Sequence, residues 1–422
     1  MSDEKLNKMN IPFSPPDISE REIEEVGNAL RSGWITTGPR TKKLEKLIAD
    51  WIGTGRTGND TPRCVCLNSQ TACQEMALHL MGIGAGDEVI VPAYTYTATA
   101  SVVCHVGAKL VIVDCQKDSF EMNYNLVEKA ITDKTKAIIP VDLGGVPCDY
   151  NKLFEIVNKK KNLFKPNNEI QKALGRIAIM ADTAHSFGAK VGDVMCGNIA
   201  DFSSFSFHAV KNFTTAEGGA LTWKHIDGIN DDELYHQLQL FSLHGQSKDA
   251  LKKNQPGQWE YDIVGTWYKC NMTDVVAAIG LIQFERYPEM LKRRKEIISK
   301  YDESFKPLGV ESLNHYNDKH ASSGHLYISR VFKKNGTPIS DQERREIIVK
   351  MAESGIACNV HYKPLPMHTA YKNLGFDIED YPNAYNHYAN EITLPLHTNL
   401  TDEQVDYIIK NYKEIIKDYV GM

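Results

Sequence analysis

The stretch SFHAVKNFTTAEGGA, residues 206–220, places one lysine, Lys211, between a predicted strand and a loop rich in small residues. A lysine amine can attack a carbonyl compound and form a Schiff base with it. Most lysines in such positions are ordinary surface residues. Covalent chemistry at Lys211 therefore depends on which other functional groups the fold brings to it.

An acid and two tyrosines are predicted to lie at the same edge of the sheet as Lys211. Asp182 ends the apolar run IAIMAD, and Tyr94 and Tyr96 lie at the end of the run EVIVPA. Open α/β sheets bind ligands at the carboxyl ends of their strands. Taken singly, each tyrosine is explained as the rim of the core, and His185 as a hydrogen-bonded structural histidine.

The segment NSQTACQEMAL, residues 68–78, is a candidate anion site because a predicted strand ends and a helix begins there. The amides of Thr71 and Ala72 fall in the first turn, at the positive end of the helix dipole, where a phosphate group would fit. Ordinary capping of the helix by Asn68 or Ser69 explains the same residues and is the commoner arrangement. The segment alone leaves both interpretations open.

Together these features match the requirements of pyridoxal 5'-phosphate. That cofactor needs a lysine for the Schiff base, an acid that keeps its pyridine nitrogen protonated, an aromatic face over its ring and a cradle for its phosphate. Lys211, Asp182, Tyr96 and the start of the helix after Leu67 offer one candidate for each role. The combination, rather than any single residue, favours this cofactor.

The segment GTGRTG, residues 53–58, matches the glycine pattern of dinucleotide-binding proteins. That pattern works only where the glycines follow a strand and open a helix, so that amides at the helix start meet a pyrophosphate. Here the glycines end a helical pattern and precede the strand CVCL. We therefore expect no dinucleotide site, and a dinucleotide-dependent oxidoreductase would rest on this segment alone.

Short apolar runs alternate with amphipathic stretches between about residues 64 and 223, which is typical of an α/β sheet covered on both faces. The polar segment at about 159–174 is predicted to be an insertion before the fifth strand. Helices are predicted at about 70–83, 97–106, 124–132 and 149–161. Strands are predicted at CVCL, EVIVPA, KLVIVD, KAIIPVDL, IAIMAD, FSSFSFH and GALTW.

Helices are also predicted on either side of this sheet in the sequence. Ser19 and Glu22 form a capping signature before an amphipathic helix that ends at Gly33. After about residue 270, a long helical pattern precedes the strand HLYISRVF and further mixed α and β patterns. We expect a domain boundary near residues 265–275.

The composition is that of an ordinary globular protein. The chain has 422 residues, of which 42% are hydrophobic and 24% charged, and a net charge of -6 that gives no general attraction to nucleic acid or anionic lipid. No stretch has the length and apolarity of a signal peptide core or a membrane span. The nine cysteines lack paired zinc-ligand spacing, so we expect buried thiols, no metal site and a cytoplasmic location.

Six motifs occur in the order typical of one family: GWITTGP, GIGAGDEVIVPAYTYTATA, ADTAHSFGA, SFHAVKNFTTAEGGA, YKCNMTDVVAAIGLIQFER and LPLHTNLTDEQV. Through them the chain resembles the DegT/DnrJ/EryC1/StrS family, the pyridoxal-phosphate-dependent sugar aminotransferases, from about residue 10 to 418. The resemblance implies a type I, aspartate aminotransferase-like α/β fold. It also implies homodimers with shared active sites. The implied parts are an N-terminal helix and substrate-side segment (1–39), a large cofactor domain with a mostly parallel seven-stranded sheet (40–268), and a smaller α+β C-terminal domain (269–422).

The resemblance also implies roles for individual residues. Lys211 resembles the Schiff-base lysine that moves the proton between the substrate α-carbon and the cofactor, and Asp182 resembles the partner of the pyridine nitrogen. His185 lies where many relatives have glutamine and is expected to bond the cofactor's ring oxygen. The remaining implied contacts are stacking by Tyr96, phosphate contacts by Thr71, Ala72 and Ser206, and a contact of Asn271 with the neighbouring subunit's phosphate.

The expected activity is a ping-pong transamination. The resemblance implies L-glutamate as donor, a pyridoxamine 5'-phosphate form between the half-reactions, and a nucleotide-linked keto-sugar as acceptor, for polysaccharide or lipopolysaccharide biosynthesis. The family also contains dehydratases with histidine in place of the lysine, and retention of Lys211 argues against that branch. A non-catalytic sugar-nucleotide-binding relative is a further alternative. Expected substrate contacts are Trp34, Thr36, Thr37, His361 and Tyr362, although loop residues also serve turn geometry.

Overall fold

The computed structural model describes residues 8–58, 61–247 and 260–421. The first nine strands are β1 (Arg63–Leu67), β2 (Glu88–Pro92), β3 (Lys109–Val113), β4 (Thr135–Ile138), β5 (Ala178–Asp182), β6 (Lys190–Val191), β7 (Val194–Met195), β8 (Phe202–Ser206) and β9 (Gly219–Trp223). All of these except β6 and β7 form one sheet in the order β1-β9-β8-β5-β4-β2-β3. Within it, β9 alone runs antiparallel to its neighbours. The predicted α/β fold with a mostly parallel seven-stranded sheet is confirmed.

Thirteen helices surround and extend this sheet in the described residues. They are α1 (Glu20–Arg31), α2 (Pro39–Ile52), α3 (Gln70–Leu80), α4 (Ala98–His105), α5 (Tyr124–Ala130), α6 (Tyr150–Lys159), α7 (Glu169–Leu174), α8 (Asp231–Ser242), α9 (Asp274–Phe305), α10 (Asp341–Glu353), α11 (Thr369–Asn373), α12 (Pro382–Asn390) and α13 (Asp402–Val420). The capping box that Ser19 and Glu22 predict is present at the start of α1. No helix among the described residues has the length and apolarity that crossing a membrane requires.

Both faces of the large sheet are covered. Val89 and Val91 of β2 pack in one apolar cluster together with α3 and α4. Ile90, the residue between them, packs in a second cluster with α5 and α6. Alternate residues of a strand point to opposite faces, so β2 is apolar on both sides, as is typical of a central parallel strand.

The fourth strand is shorter than its sequence predicts. The run KAIIPVDL extends from residue 136 to 143, but β4 ends at Ile138 and a turn of 3-10 helix follows at Leu143–Gly145. Pro140 has no N–H to donate to a neighbouring strand, which interrupts the ladder there, and only the isolated bridge of Val141 with Asp182 follows. The chain beyond it turns across the carboxyl edge of the sheet.

The predicted insertion contains a helix and packs on the large domain. Asn168 caps α7, and its side-chain amide also donates to the carbonyl of Leu80 at 3.3 Å. The buried Gln171 donates to the carbonyl of Met81 at 2.7 Å. These bonds close the turn between α3 and β2, so residues 159–174 have a structural role that the sequence did not reveal.

The C-terminal part has its own sheet and apolar core. Strands β10 (Glu311–Ser312), β12 (Tyr327–Arg330) and β13 (Glu391–Leu394) form it, while β11 (His320–Ala321) pairs with β6. Helix α9 connects the two parts, because its first half packs against α2 and its second half lies in the C-terminal core. The predicted border at 268/269 falls just before this helix. Residues 1–7 of the predicted N-terminal segment lie outside the described residues, and Ile11 pairs with Ile356 in the C-terminal part.

Candidate active site

A cavity of about 340 Å³ opens at the carboxyl ends of the sheet strands. Its volume lies at the lower end of the range for small-molecule sites. The segments that follow β1, β2, β4, β5 and β8 all reach it, because strands that run in parallel end at the same edge. The predicted residues that line it are Thr71, Tyr96, Asp182, His185, Ser206, Lys211, His361 and Tyr362.

Asp182 lies at the end of β5 with only 4% of its surface exposed. One carboxylate oxygen accepts a hydrogen bond from the Thr99 hydroxyl at 2.7 Å, and the other accepts one from the Ala184 N–H at 3.1 Å. Burial raises the pKa of Asp182, while these donors and the charge of Lys211 oppose the rise. A cationic N–H group in the cavity would stabilise the ionised form of this carboxyl.

Lys211 lies in the loop after β8, where its N–H donates to the carbonyl of His208 at 2.9 Å. Burial lowers the pKa of its amine to about 8, although the nearby charge of Asp182 opposes the change. A larger fraction of the amine is therefore uncharged near neutral pH than in an exposed lysine. The uncharged amine is the form that attacks a carbonyl group.

His185 is held by bonds to both of its ring nitrogens. Nδ1 accepts from the N–H of Gly144 at 3.1 Å, and Nε2 lies 3.1 Å from the hydroxyl of Tyr362. Burial and the charge of Lys211 hold the pKa of His185 well below its usual value, so the ring is neutral. Since Nδ1 is an acceptor, the ring proton lies on Nε2, which makes this nitrogen a donor at the cavity.

The turn that supports His185 requires glycine. Gly145 has a φ of 94°, and a Cβ atom there would lie 2.2 Å from Oγ of Ser323. Only glycine combines this left-handed conformation with such a close neighbour. The Gly144 N–H that bonds His185 is consequently positioned by backbone conformation and by packing against the segment before β12.

The cavity reaches the start of α3, which the sequence indicated as a candidate anion site. Ser69 is the N-cap and its hydroxyl accepts from the N–H of Ala72 at 3.1 Å. The capping interpretation is therefore realised for Ala72, which does not line the cavity, whereas Thr71 does. The side chain of Gln70 turns into the core, where it donates to Gln74 at 2.7 Å and Ser204 at 3.0 Å.

Close packing fixes this helix start in place. A Cβ atom on Gly219, the first residue of β9, would lie 2.5 Å from the backbone nitrogen of Gln70. The backbone of β9 therefore approaches the first turn of α3 more closely than any other residue type allows. The start of α3 at Gln70 and Thr71 is therefore held at the cavity by the sheet itself.

Four of the predicted site residues form a separate group that does not line this cavity. The side-chain amide of Asn271 donates to the Thr37 hydroxyl at 2.6 Å, and the indole N–H of Trp34 donates to the Thr37 carbonyl at 3.2 Å. The carbonyl of Thr36 accepts from the N–H of Asp274 at 3.1 Å. The contact of Asn271 with the neighbouring subunit's phosphate and the substrate contacts of Trp34, Thr36 and Thr37 stay predictions.

Sequence reasoning missed several residues that hold the site together. The hydroxyls of Thr95, which precedes α4, and Thr99, in its first turn, are 2.8 Å apart, and no periodic pattern in the sequence signals this pair. Glu391 and Thr393 of β13 contact His361, but no local pattern signals a contact between segments so distant in the chain. Among the described residues, no group of three or more potential ligands is arranged to hold a metal ion.

Comparison with known proteins identifies relatives over nearly the full length. The model of the DegT/DnrJ/EryC1/StrS aminotransferase family matches residues 16–413. The spore coat polysaccharide biosynthesis protein SpsC of Bacillus subtilis (strain 168) is 34% identical over 412 residues, covering 96% of this chain and 97% of SpsC.

Solved structures show the same fold. Spr1654 of Streptococcus pneumoniae, which is named as a sugar aminotransferase, is 54% identical in its PLP form, with a TM-score of 0.91 over 97% of this chain and 100% of that one. Its PMP form superposes with a TM-score of 0.92 at 56% identity, again over 97% of this chain and 100% of that one. Helicobacter pylori PseC, an aminotransferase involved in the biosynthesis of pseudoaminic acid, is 25% identical with a TM-score of 0.82 over 97% of this chain and 100% of that chain.

Proposed function

Because the chain belongs to the DegT/DnrJ/EryC1/StrS aminotransferase family, we propose that it is a pyridoxal-phosphate-dependent aminotransferase that converts a keto-sugar to an amino sugar. The observation that carries the proposal is the meeting of Lys211, Asp182 and the start of α3 in one cavity. These are the amine, the acid and the anion cradle that the cofactor requires. The PLP and PMP forms of the Streptococcus pneumoniae relative support the same cofactor.

The residues present fit this cofactor. Asp182 is a buried carboxyl whose hydrogen-bond donors within the protein are neutral, so a pyridinium N–H would supply the missing positive charge. Thr71 and Ser206 face the cavity where the phosphate would lie, and Tyr96 lies beside the place of the ring. Lys211 would hold the aldehyde carbon, and the cofactor when bound supplies an electron-withdrawing ring that stabilises negative charge at the donor's α-carbon.

The chain's own groups then manage the proton and the orientation. The amine of Lys211, with a pKa of about 8, takes the α-proton of the amino donor and returns it on the acceptor. Nε2–H of His185, which now faces the Tyr362 hydroxyl, would be available to donate to the ring oxygen of the cofactor. The Asp182 carboxylate would hold the pyridine nitrogen of the cofactor in its protonated form.

The substrates proposed are L-glutamate and a nucleotide-linked keto-sugar, with the product used for surface polysaccharide or lipopolysaccharide. The names of SpsC and PseC, one from spore coat polysaccharide and one from pseudoaminic acid biosynthesis, support a sugar acceptor. His361 and Tyr362 line the cavity and would contact this substrate. A homodimer would bring Asn271 to the phosphate in the neighbouring cavity, and Trp34, Thr36 and Thr37 are proposed as further substrate contacts. All nine cysteines are free thiols, which fits a cytoplasmic location.

Two alternatives are less well supported. A dehydratase of this family would have histidine at the position of Lys211, and a non-catalytic binder has no need for an amine beside Asp182. The dinucleotide alternative lacks its structural context, because the glycines of residues 53–58 follow α2 and precede β1.

The test is covalent trapping of the cofactor. Borohydride reduction of the purified holoenzyme should fix the cofactor to the peptide that contains Lys211, as read by mass spectrometry. Lys211→Ala should lose this adduct, the cofactor's absorption band and turnover with glutamate. Lys224→Ala is the matched control, because Lys224 is also largely buried with a lowered pKa but lies outside the cavity. An adduct elsewhere in the chain, or one that survives in Lys211→Ala, would refute the assignment.

A further inference from the structure

The imidazole of His361 is fixed at the wall of the Lys211 cavity. Its backbone N–H donates to Glu391 at 3.0 Å, its carbonyl accepts from the Tyr94 hydroxyl at 3.0 Å, and its ring stacks on Phe13 with centroids 5.4 Å apart. Its Nδ1 lies 3.0 Å from the hydroxyl oxygen of Thr393. Nε2 has no hydrogen-bond partner in the described part of the chain, so the Nε2 edge is left for the cavity.

The Thr393 hydroxyl lies between two groups that can each give or take a proton. On one side is His361 Nδ1, and on the other is a carboxyl oxygen of Glu391, to which the hydroxyl is hydrogen-bonded. The second carboxyl oxygen is occupied by the backbone N–H of His361. A hydroxyl donates only one proton, so it can serve either Glu391 or His361 as donor, and it must accept from the other.

Two arrangements satisfy every bond in this chain. With Glu391 ionised, Thr393 donates to the carboxylate and accepts from Nδ1–H, so Nε2 of His361 offers a lone pair to the cavity. With Glu391 protonated, its O–H donates to Thr393, Thr393 donates to Nδ1, and Nε2 carries the proton instead. The protonation of Glu391 therefore decides whether His361 is an acceptor or a donor at the cavity.

The surroundings allow both arrangements near neutral pH. Glu391 is fully buried, which raises its pKa to about 8, although the charge of Arg344 on α10 opposes the rise. Burial and the charge of Lys211 lower the pKa of His361 to about 3, so its ring stays neutral. The other titratable groups around Glu391 are Tyr94 after β2, Tyr362 and Cys358 in the loop before α11, and Tyr412 on α13, and burial raises the pKa of each, which keeps them uncharged.

We propose that Glu391, Thr393 and His361 form a proton relay that exchanges a proton between the buried carboxyl and a substrate group in the Lys211 cavity. Donation breaks the Nε2–H bond and forms an O–H or N–H bond on the substrate. In the same concerted step a proton moves from Thr393 to Nδ1 and another from Glu391 to Thr393, so the imidazole stays neutral and Glu391 has lost the one proton that the substrate gained. The reverse sequence loads Glu391 again. Glu391 and Thr393 act through His361 and are positioning residues.

The relay rests on the proposed function for its substrate. An amino donor arrives as an ammonium ion and must lose a proton before its nitrogen can attack a carbonyl carbon. A keto-sugar must lose its carbonyl oxygen as water, which requires a proton on that oxygen. The proton taken from the amino donor would be held on Glu391 and delivered to the keto-sugar. The two half-reactions together would then release no proton to solvent.

The relay is tested first without substrate or cofactor. In protein labelled with ¹⁵N-histidine, the His361 resonances, assigned by loss in His361→Gln, should show Nε2 protonated below about pH 8 and Nδ1 protonated above it. Glu391→Gln should hold the Nε2–H arrangement at every pH, because the amide NH₂ faces Thr393 while the amide oxygen accepts from His361. One unchanging tautomer in the wild-type protein from pH 6 to 10 would overturn the proposal, whether or not any variant folds.

The kinetic test of the relay compares Thr393→Val, which removes the hydroxyl, with Thr393→Ser, which retains it. We expect Thr393→Val to lose about 10²-fold in kcat, the lower end of the contribution of general acid–base catalysis, and to keep near pH 8 only the pH dependence that Lys211 supplies. Thr393→Ser should keep both. Equal pH profiles in the wild type and Thr393→Val would overturn the relay. A protein inactive with every sugar but showing the tautomer change would instead refute the proposed function and leave the relay standing.

Discussion

Thr99→Val isolates one hydrogen bond to the proposed cofactor acid. The Thr99 hydroxyl donates to a buried oxygen of Asp182 at 2.7 Å, and valine keeps the shape of threonine while removing this donor. A hydrogen bond to a charged group contributes about 1.5–3 kcal/mol, and one pKa unit corresponds to about 1.4 kcal/mol. The substitution should therefore raise the pKa of Asp182 in the free protein by about 1–2 units.

The pH dependence of cofactor binding reports this change. A pyridinium N–H binds the ionised form of Asp182, so affinity is lost as the pH falls through the pKa of that carboxyl in the free protein. A higher pKa moves the loss to higher pH, and we expect the midpoint in Thr99→Val to lie about 1–2 pH units above that of the wild type. Pyridoxamine 5'-phosphate is the suitable probe, because it cannot form a Schiff base with Lys211, and its binding can be followed by fluorescence titration.

Thr222→Val controls for the loss of a buried hydroxyl elsewhere. Thr222 donates to the carbonyl of Gly197 at 2.9 Å in the sheet core and does not touch the cavity. It should lower stability by a similar amount while leaving the pH midpoint of binding unchanged. The reasoning about Asp182 fails if Thr99→Val and the wild type release the probe at the same pH, or if the control shifts as much.

Three further expectations concern the support of the site. Gly219→Ala should weaken cofactor binding, because a Cβ atom 2.5 Å from the Gln70 nitrogen displaces the first turn of α3, and Gly84→Ala, with its nearest contact at 3.4 Å, should bind normally in the same titration. His185→Gln should retain the cofactor band, since an amide can accept from Gly144 and donate to Tyr362, whereas His185→Ala should lose affinity. Asn168→Ala should lower the free energy of unfolding by about 1 kcal/mol, because α7 loses its N-cap, and should leave turnover unchanged.

The fold was largely predictable because its signals are local. Each strand of the large sheet is an apolar run with a turn after it, and Asp182 stands at the point where such a run ends. The predicted length of β4 was too great for an equally local reason. Pro140 fits a pattern of apolar residues, but it has no N–H for the hydrogen bonds of a strand. The family and the type I fold that the motifs indicated are confirmed by the match over residues 16–413 and by the solved relatives.

The contacts that tune the site were not predictable in the same way. Glu391 meets the N–H of His361 from a strand 30 residues further along the chain, and Thr99 meets Asp182 across 83 residues. Such contacts depend on how β5, α4 and β13 are placed relative to one another. A motif lists the residue types near a cofactor, but it carries no information on which buried acid receives which hydroxyl.

Asp182 and Glu391 show why that distinction matters, since their immediate surroundings are alike. Each has one oxygen fixed by a backbone N–H and the other bonded to a threonine hydroxyl. At Asp182, the Thr99 hydroxyl is in turn hydrogen-bonded to the hydroxyl of Thr95. A threonine hydroxyl does not titrate near neutral pH. At Glu391 the hydroxyl continues to an imidazole with a free nitrogen at the cavity. The same local construction therefore has no path for a proton at Asp182, whereas at Glu391 the proposed relay passes one, because the threonine hydroxyl there reaches an imidazole instead of a second hydroxyl.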